Sequence, residues 1–305
     1  MSSGPSAKIP YAEPWLSYQD QLKLIESRGI VVADRPAAEA FLAHVNYYRL
    51  SGYCLAFEDA RHSYSRAVTF EQVCQAYDFD RDLRDLVTEA LEVIEVDLRA
   101  AIAYHFGDKY GAFGHCNPTN FFRTFRHADW HAKVCEEAER SSELFVTHFR
   151  ATYDEFPDLP VWIATEIMSF GGLSHMYLGM HKSDQKIVAK RYNLQPLTLQ
   201  RVIHHFVYVR NLCAHHSRLW DRIWAIKPEL PFGTAWQPPH ITNNGRLFAT
   251  LLLLYSMMRK IPLVTTFAAD WKTRVFARLD DAPAVADPLA TMGLTTKWKQ
   301  HPVWI

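Results

Sequence analysis

Apolar positions along this chain recur mostly three and four residues apart, the spacing that places them on one face of an α-helix. Ser17 to Arg28 reads as a capped helix, with Ser17 as the N-cap, Asp20 in the first turn and Gly29 as the stop. A second helix begins near Pro36, carries Phe41, Leu42, Val45 and Tyr48, and ends in the "RLSGY" of Arg49–Tyr53. Thr69 and Gln72 make a capping-box pair. From there one long helix, or two, runs to about Phe106, with Leu83, Leu86, Val87, Leu91, Ile94 and Leu98 on a single stripe. Asp108–Phe122 has loop composition. A helix covers His127 to Tyr153, and Val161–Met180 is helical with a disturbance at Gly171-Gly172. Ser183 is placed to cap a short helix ending near Tyr192, and Pro196 opens a helix that reaches His216. Pro228, Pro231, Pro238 and Pro239 mark an irregular stretch, followed by helices near Asn244–Lys260 and Ala268–Leu279. The pattern describes an all-α protein.

Composition adds bounds. With 305 residues, 49% of them hydrophobic, the chain can bury a full core. Met1–Pro10 lacks the apolar core of a signal peptide. The longest apolar run, Leu247–Met258, is too short to span a bilayer and reads as a buried helix, so no membrane partner is expected. Five cysteines, an odd number without C-x-x-C, point to reduced thiols and a cytoplasmic setting. The formal net charge is zero, which removes any bulk basic footprint for nucleic acid. The charge is nevertheless uneven. Glu71–Arg99 holds nine acidic and three basic residues, whereas His181–Arg222 holds eight Lys/Arg against Asp184 and Asp221. The second stretch attracts anions locally.

Within that basic stretch lies "VRNLCAHHSRLW", Val209–Trp220. On a helix turning about 100° per residue, Leu199, Val202, Phe206, Val209 and Cys213 share one narrow sector, the core face. His204, Tyr208, Asn211 and His215 fall on the opposite side. Arg210 sits roughly 140° from His215 and roughly 120° from His216 in ideal geometry, so a distorted turn or its own length must bring it to the imidazoles. Arg210, Asn211, His215 and His216 are the candidate catalytic residues. Arginine presents a planar fork of donors to a phosphate, and histidine titrates near neutrality and can both take and give a proton. RNA carries its own nucleophile, the 2′-hydroxyl, so this chemistry calls for no metal and no cofactor. His204, Tyr208 and Arg218 are candidate substrate-binding groups. Glu166, a carboxylate in an apolar helix, is either a paired structural group or an acid that orients a histidine; Glu92 and Glu95 are weaker versions of the same idea.

Other patterns compete. His127 and His131 stand four apart in "HADWH", with Cys135 one turn on; that spacing could hold zinc, but without a paired Cys-x-x-Cys it reads as a surface helix face. His204 and His205 with His215 and His216 are a second metal option. Tyr47, Tyr48, Arg49 and Tyr53 could stack on bases, and core packing explains them equally well. The first two helices could form a helix-turn-helix, but the second lacks the Arg/Asn/Gln cluster that base reading needs.

"VRNLCAHHSRLWDR" resembles the signature of the Abi-like family, the abortive-infection proteins of the Abi-D/Abi-F type. "FLAHVNYYRLSGY" (Phe41–Tyr53), "FDRDLRDLVTEALEVIEVDLRAAIAYHFGDKYG" (Phe79–Gly111) and "LPVWIATEIMSFGGLSHMY" (Leu159–Tyr177) match in the same order, so the resemblance spans Tyr18 to Trp224. This family is similar to the HEPN superfamily, helical bundles whose R-N-x-x-x-H motif cleaves RNA without metal. The resemblance implies a HEPN-like bundle with additional N- and C-terminal helices: residues 1–16 irregular, 17–228 the Abi-like domain, and 229–305 an extension packed on the same core or a small subdomain. It maps the motif onto Arg210, Asn211 and His215, with His216 at a looser spacing. It further implies a homodimer, a single-stranded RNA substrate, a role in anti-phage defence and, for some relatives, a small non-coding RNA partner. The competing readings are a catalytically silent RNA-binding or antitoxin-like interaction protein on the same scaffold, and a DNA-binding regulator.

Overall fold

The computed structural model describes residues 10–60, 64 and 66–305. Most of Met1–Pro10 lies outside them, and 10–17 form no regular element. Two compact units result. The first comprises the described residues up to Asp78 with Pro283–Ala286; the second comprises Phe79–Ala282 and Asp287–Ile305. The division therefore falls within the long helix, and the helices after Glu229 belong to the same unit as the motif.

In the first unit, α1 (Tyr18–Ser27) starts where Ser17 Oγ accepts the Asp20 amide and stops at Gly29, whose φ of +96° suits glycine. One helix was expected from Pro36 to Tyr53, but there are two, α2 (Arg35–His44) and α3 (Tyr47–Cys54). Asn46 breaks them: its Oδ1 accepts the Tyr48 amide at 2.8 Å, which stabilises a new start over a continued helix. A short parallel pairing of β1 (Ile30–Val31) with β2 (Val68–Thr69) precedes the long helix. The capping box forms as the sequence suggests, with Gln72 Oε1 accepting the Thr69 amide and Thr69 Oγ1 accepting the Gln72 amide. It opens α4 (Phe70–Tyr110), a single helix of 41 residues.

The second unit contains α5 (His127–Arg140), α6 (Leu144–Thr152), α7 (Val161–Ile167), α8 (Phe170–Gly179), α9 (Lys182–Arg191), α10 (Pro196–Ala214), α11 (Leu247–Met258), α12 (Thr265–Asp280) and α13 (Pro288–Met292). The expected helix His127–Tyr153 is broken at Ser141, whose Oγ accepts the Glu143 amide. The disturbance expected at Gly171-Gly172 lies two residues earlier, where Ser169 Oγ caps α8 by accepting the Gly172 amide. His181, not Ser183, stands at the start of α9.

The acidic part of α4 is a spine to which other helices are latched. Asp97, buried, accepts from Arg191 Nε at 2.8 Å and from the Tyr192 hydroxyl at 2.6 Å. Asp184 on α9 accepts from His105, Lys109 and Tyr110 of α4. From α12, Arg274 pairs with Glu89 and Arg278 with Asp82, while the Trp271 indole N–H reaches the Leu86 carbonyl at 2.7 Å. Asp82, Glu89 and Asp97 of α4 are thus engaged by α12 and α9. Helix α11 is apolar on all sides and buried along its length except at Ser256, as a central helix must be. Among the described residues, no single helix is long and apolar enough to cross a membrane.

His205 ties α10 to this interior. Its ring is fully buried; Nδ1 lies 2.6 Å from the Ile226 carbonyl and Nε2 2.9 Å from Thr250 Oγ1 of α11. A carbonyl only accepts, so Nδ1 carries the proton and Nε2 accepts from the threonine hydroxyl. Burial lowers its pKa from 6.5 to about 4, outweighing the opposite pull of the Ile226 carbonyl. The unfolded chain therefore takes up this proton first, and the stability His205 contributes, complete above pH 6.5, is lost as the pH falls towards 4. Urea unfolding at pH 7 and pH 5 checks this. Wild type should lose on the order of 2 kcal/mol more between the two than His205→Gln; equal losses would contradict it.

Candidate active site at the end of α10

The core face of α10 is as the periodicity predicts: Leu199, Val202, Phe206, Val209 and Cys213 are buried. Burial pushes the Cys213 thiol up to about 12, so it is an inert core group. On the other side His204, Asn211 and His215 are exposed, and Arg210, which the helical period sets beside the core sector, is exposed as well. Among the described residues, the side chains of Arg210, Asn211 and His215 make no hydrogen bond or ion pair. Arg99, Arg191, Arg274 and Arg278 in the same unit are all paired.

The helix ends inside the motif. His215 is the C-cap, with φ −92° and ψ 12°, and His216 has φ +52°, the left-handed conformation that usually selects glycine. The His216 amide donates to the Cys213 carbonyl at 2.9 Å and the Ser217 amide to the Leu212 carbonyl at 2.8 Å, the two bonds of a Schellman termination. The ideal-helix angles separating Arg210 from the imidazoles therefore stop applying at Ala214.

Beyond the cap the chain is pinned. Asp80, fully buried on α4, accepts the amides of Leu219 at 2.9 Å and Trp220 at 2.6 Å and pairs with Arg84. The Phe79 ring meets Trp220 edge-on at 6.3 Å. Asp221 binds Arg246 at 2.8 Å, and the Trp224 amide donates to the Gly245 carbonyl at 2.9 Å. Asp80 escaped the sequence reading because its partners lie 139 and 140 residues away. The available signal was an acid beside Phe79 and one turn before Leu83, on the apolar side of its helix.

The remaining candidates are placed as follows. Tyr208 is half-buried against Trp224, and its hydroxyl accepts the Ala225 amide at 3.4 Å. Arg218 is half-buried, and its carbonyl accepts from Arg222 Nε. Glu166 is exposed; its backbone carbonyl accepts from Arg99 at 3.4 Å, and no bond joins its carboxylate to the imidazoles. Glu95 pairs with Arg99. His205 faces inward, which removes the four-histidine metal option. Tyr53 is core, ring to ring with Tyr77, whereas Tyr48 is exposed. His127 is buried rather than on a surface face, its Nε2 donating to the His115 carbonyl at 2.8 Å. A groove of about 840 Å³ opens elsewhere in the unit, lined by Phe125, Arg126, Trp130, Lys133, His175 and Lys182 and by none of the motif residues. The motif itself lies on open surface.

The left-handed His216 gives a clean test of this geometry. His216→Gly should be more stable than His216→Ala by about 1 kcal/mol, because alanine pays the Cβ penalty at positive φ and glycine does not. Both variants lack the imidazole, so denaturation midpoints compare the backbone alone. Alanine equal to or better than glycine would rule out the left-handed cap.

No curated protein and no solved structure matches the chain. The sequence model of a family described as "Abi-like protein" matches residues 40–221, more than half of the chain, which takes in Asp80, the whole of α10 and the pinned turn after it. The chain therefore belongs to the Abi-like protein family.

Proposed function

We propose that this protein is a metal-independent endoribonuclease of a HEPN-like kind, acting in abortive-infection defence, with Arg210, Asn211 and the His215–His216 pair as its working groups. The observation that carries the reading is the contrast in commitment. Arg210, Asn211 and His215 stand exposed without protein partners among the described residues, on a backbone fixed by buried bonds at both ends. Among the described residues no bond of the fold uses those side chains, and their chemistry suits a phosphodiester. The family membership supports the biological setting.

The motif residues are exposed, and the resemblance to HEPN proteins implies that two copies of the motif meet across a symmetric interface, one imidazole acting as base and the other as acid. A second copy of the chain, set against the first about a two-fold axis, completes the site. One imidazole takes the proton of the ribose 2′-hydroxyl, and the oxygen attacks the adjacent phosphorus. The partner subunit's imidazole gives a proton to the departing 5′-oxygen. The two Arg210 guanidinium groups neutralise the charge that builds on the phosphorane oxygens. Asn211 orients a phosphate oxygen or an imidazole. The products are a 2′,3′-cyclic phosphate and a 5′-hydroxyl. Single-stranded RNA suits the in-line geometry because its backbone is pliable.

Labelled single-stranded RNA incubated with the protein in EDTA tests the reading, with circular dichroism to show that the chelated protein stays folded. Cleavage is expected, together with a dimeric solution mass. Arg210→Ala should lower the rate about 10²–10³-fold, and His215→Ala or His216→Ala, whichever removes the essential imidazole, about 10²–10⁴-fold. Binding without cutting would instead favour a silent interaction protein, divalent-dependent cutting a metal enzyme, and retention on duplex DNA alone a regulator.

A further inference from the structure

Away from the motif, the second unit gathers thiols, an imidazole and a carboxylate at one point. His131 and Cys135 stand one turn apart on α5, and the Cys135 sulfur is 3.9 Å from the His131 ring nitrogens. His131 Nε2 is 3.0 Å from Asp158 Oδ1, and Cys135 Sγ is 3.6 Å from the same oxygen. Cys116 closes the group: its sulfur, a His131 nitrogen and an Asp158 oxygen all lie within 4.8 Å of one another. These residues come from three segments separated in sequence: the turn Gly114–Cys116, α5, and the turn that precedes Leu159.

A bare His–Asp ion pair needs no sulfur beside it, and two thiols contribute little as hydrogen-bonding groups. Four donors of this kind are, by contrast, the usual ligand set of zinc, whose bonds of about 2.0–2.3 Å place tetrahedral ligand atoms roughly 3.3–3.8 Å apart. The separations of 3.0, 3.6 and 3.9 Å among His131, Asp158 and Cys135 already bracket that range, and Cys116, within 4.8 Å of His131 and Asp158, reaches the same ion by a small side-chain movement. Thiolates beside an imidazole disfavour magnesium and calcium, which take oxygen ligands. The surroundings are organised as well. His115 is buried, with Nε2 3.6 Å from the Cys116 sulfur, and its Nδ1 has no partner among the described residues. His127, held by the His115 carbonyl, stacks on His131 with the rings 12° apart and so sets the orientation of that ring. The His131 and Asp158 side chains keep 22% and 39% exposure, which leaves an ion a way in.

We propose that Cys116, His131, Cys135 and Asp158 bind one zinc ion in a closed, four-ligand structural site. The ion cross-links the segment between α4 and α5 to the segment between α6 and α7. This proposal is independent of the nuclease reading, because none of its ligands lies on α10 or in the turn after it.

Cobalt(II) alone is the probe. The full-length protein, reduced and stripped with chelator, is titrated with it. One equivalent per chain should give thiolate-to-cobalt charge-transfer absorption and the strong visible bands of a tetrahedral ion, both abolished by added zinc. Cys116→Ser and Cys135→Ser should each reduce the charge-transfer intensity, and the double variant should remove it. Asp158→Asn should weaken cobalt binding by at least about tenfold, and Cys74→Ser should change nothing. The wild-type spectrum alone can overturn the proposal, whatever the variants do to folding: only weak octahedral bands, or none, would do so. A charge-transfer band that survives in the double variant would place the metal elsewhere and overturn it too.

Discussion

A carboxylate with no access to water holds the candidate active site in place. Asp80 lies on α4, in a part of the helix that faces the core, and burying its charge would be costly without compensation. The compensation comes from the Arg84 guanidinium and from the backbone amides of Leu219 and Trp220. Those amides belong to the segment that follows the two histidines, so the electrostatic need of one residue decides where the chain goes after α10. On the near side, His205 fastens α10 through the Ile226 carbonyl and the Thr250 hydroxyl. Arg210, Asn211, His215 and His216 occupy the stretch between these two anchors. Their backbone is fixed by bonds in which the side chains of the first three take no part.

Much of this architecture could be read from the sequence, because apolar periodicity reports burial and burial decides which residues form a core. The limits of α1, the capping box of α4 and the inward face of α10 all followed from local rules. The three missed helix breaks share one physical cause. At Asn46, Ser141 and Ser169 a short polar side chain captures a nearby amide and ends or restarts a helix, where the apolar pattern alone would run on. The site was legible to the same degree. Exposure of Asn211 and His215 follows from the helical period, whereas Arg210, which the period sets beside the core sector, is exposed all the same. The half-burial of Tyr208 does not follow from the period either, because Trp224 covers it from another segment. The role of Asp80 and the convergence of Cys116 and Asp158 on His131 are products of tertiary folding, which no local spacing encodes.

The charge pattern illustrates the same division. The acidic run on α4 and the basic run that contains α10 pair only in part. Arg191 does meet Asp97, but Glu89 and Asp82 are taken by α12, and Arg210 is left to solvent among the described residues. A cation that the fold leaves unused is where a ligand's phosphate gains most, because no internal bond must be broken to bind it.

The central claim is that the Asp80 clamp fixes the turn beyond the motif, and amide hydrogen exchange at Leu219 and Trp220 measures it most directly. In the wild-type protein both amides should exchange as slowly as the core of α10. In Asp80→Asn, which keeps the shape and drops the charge, both should exchange much faster while the amides of α11 keep their protection. Identical exchange at the two positions in the two proteins would contradict the account.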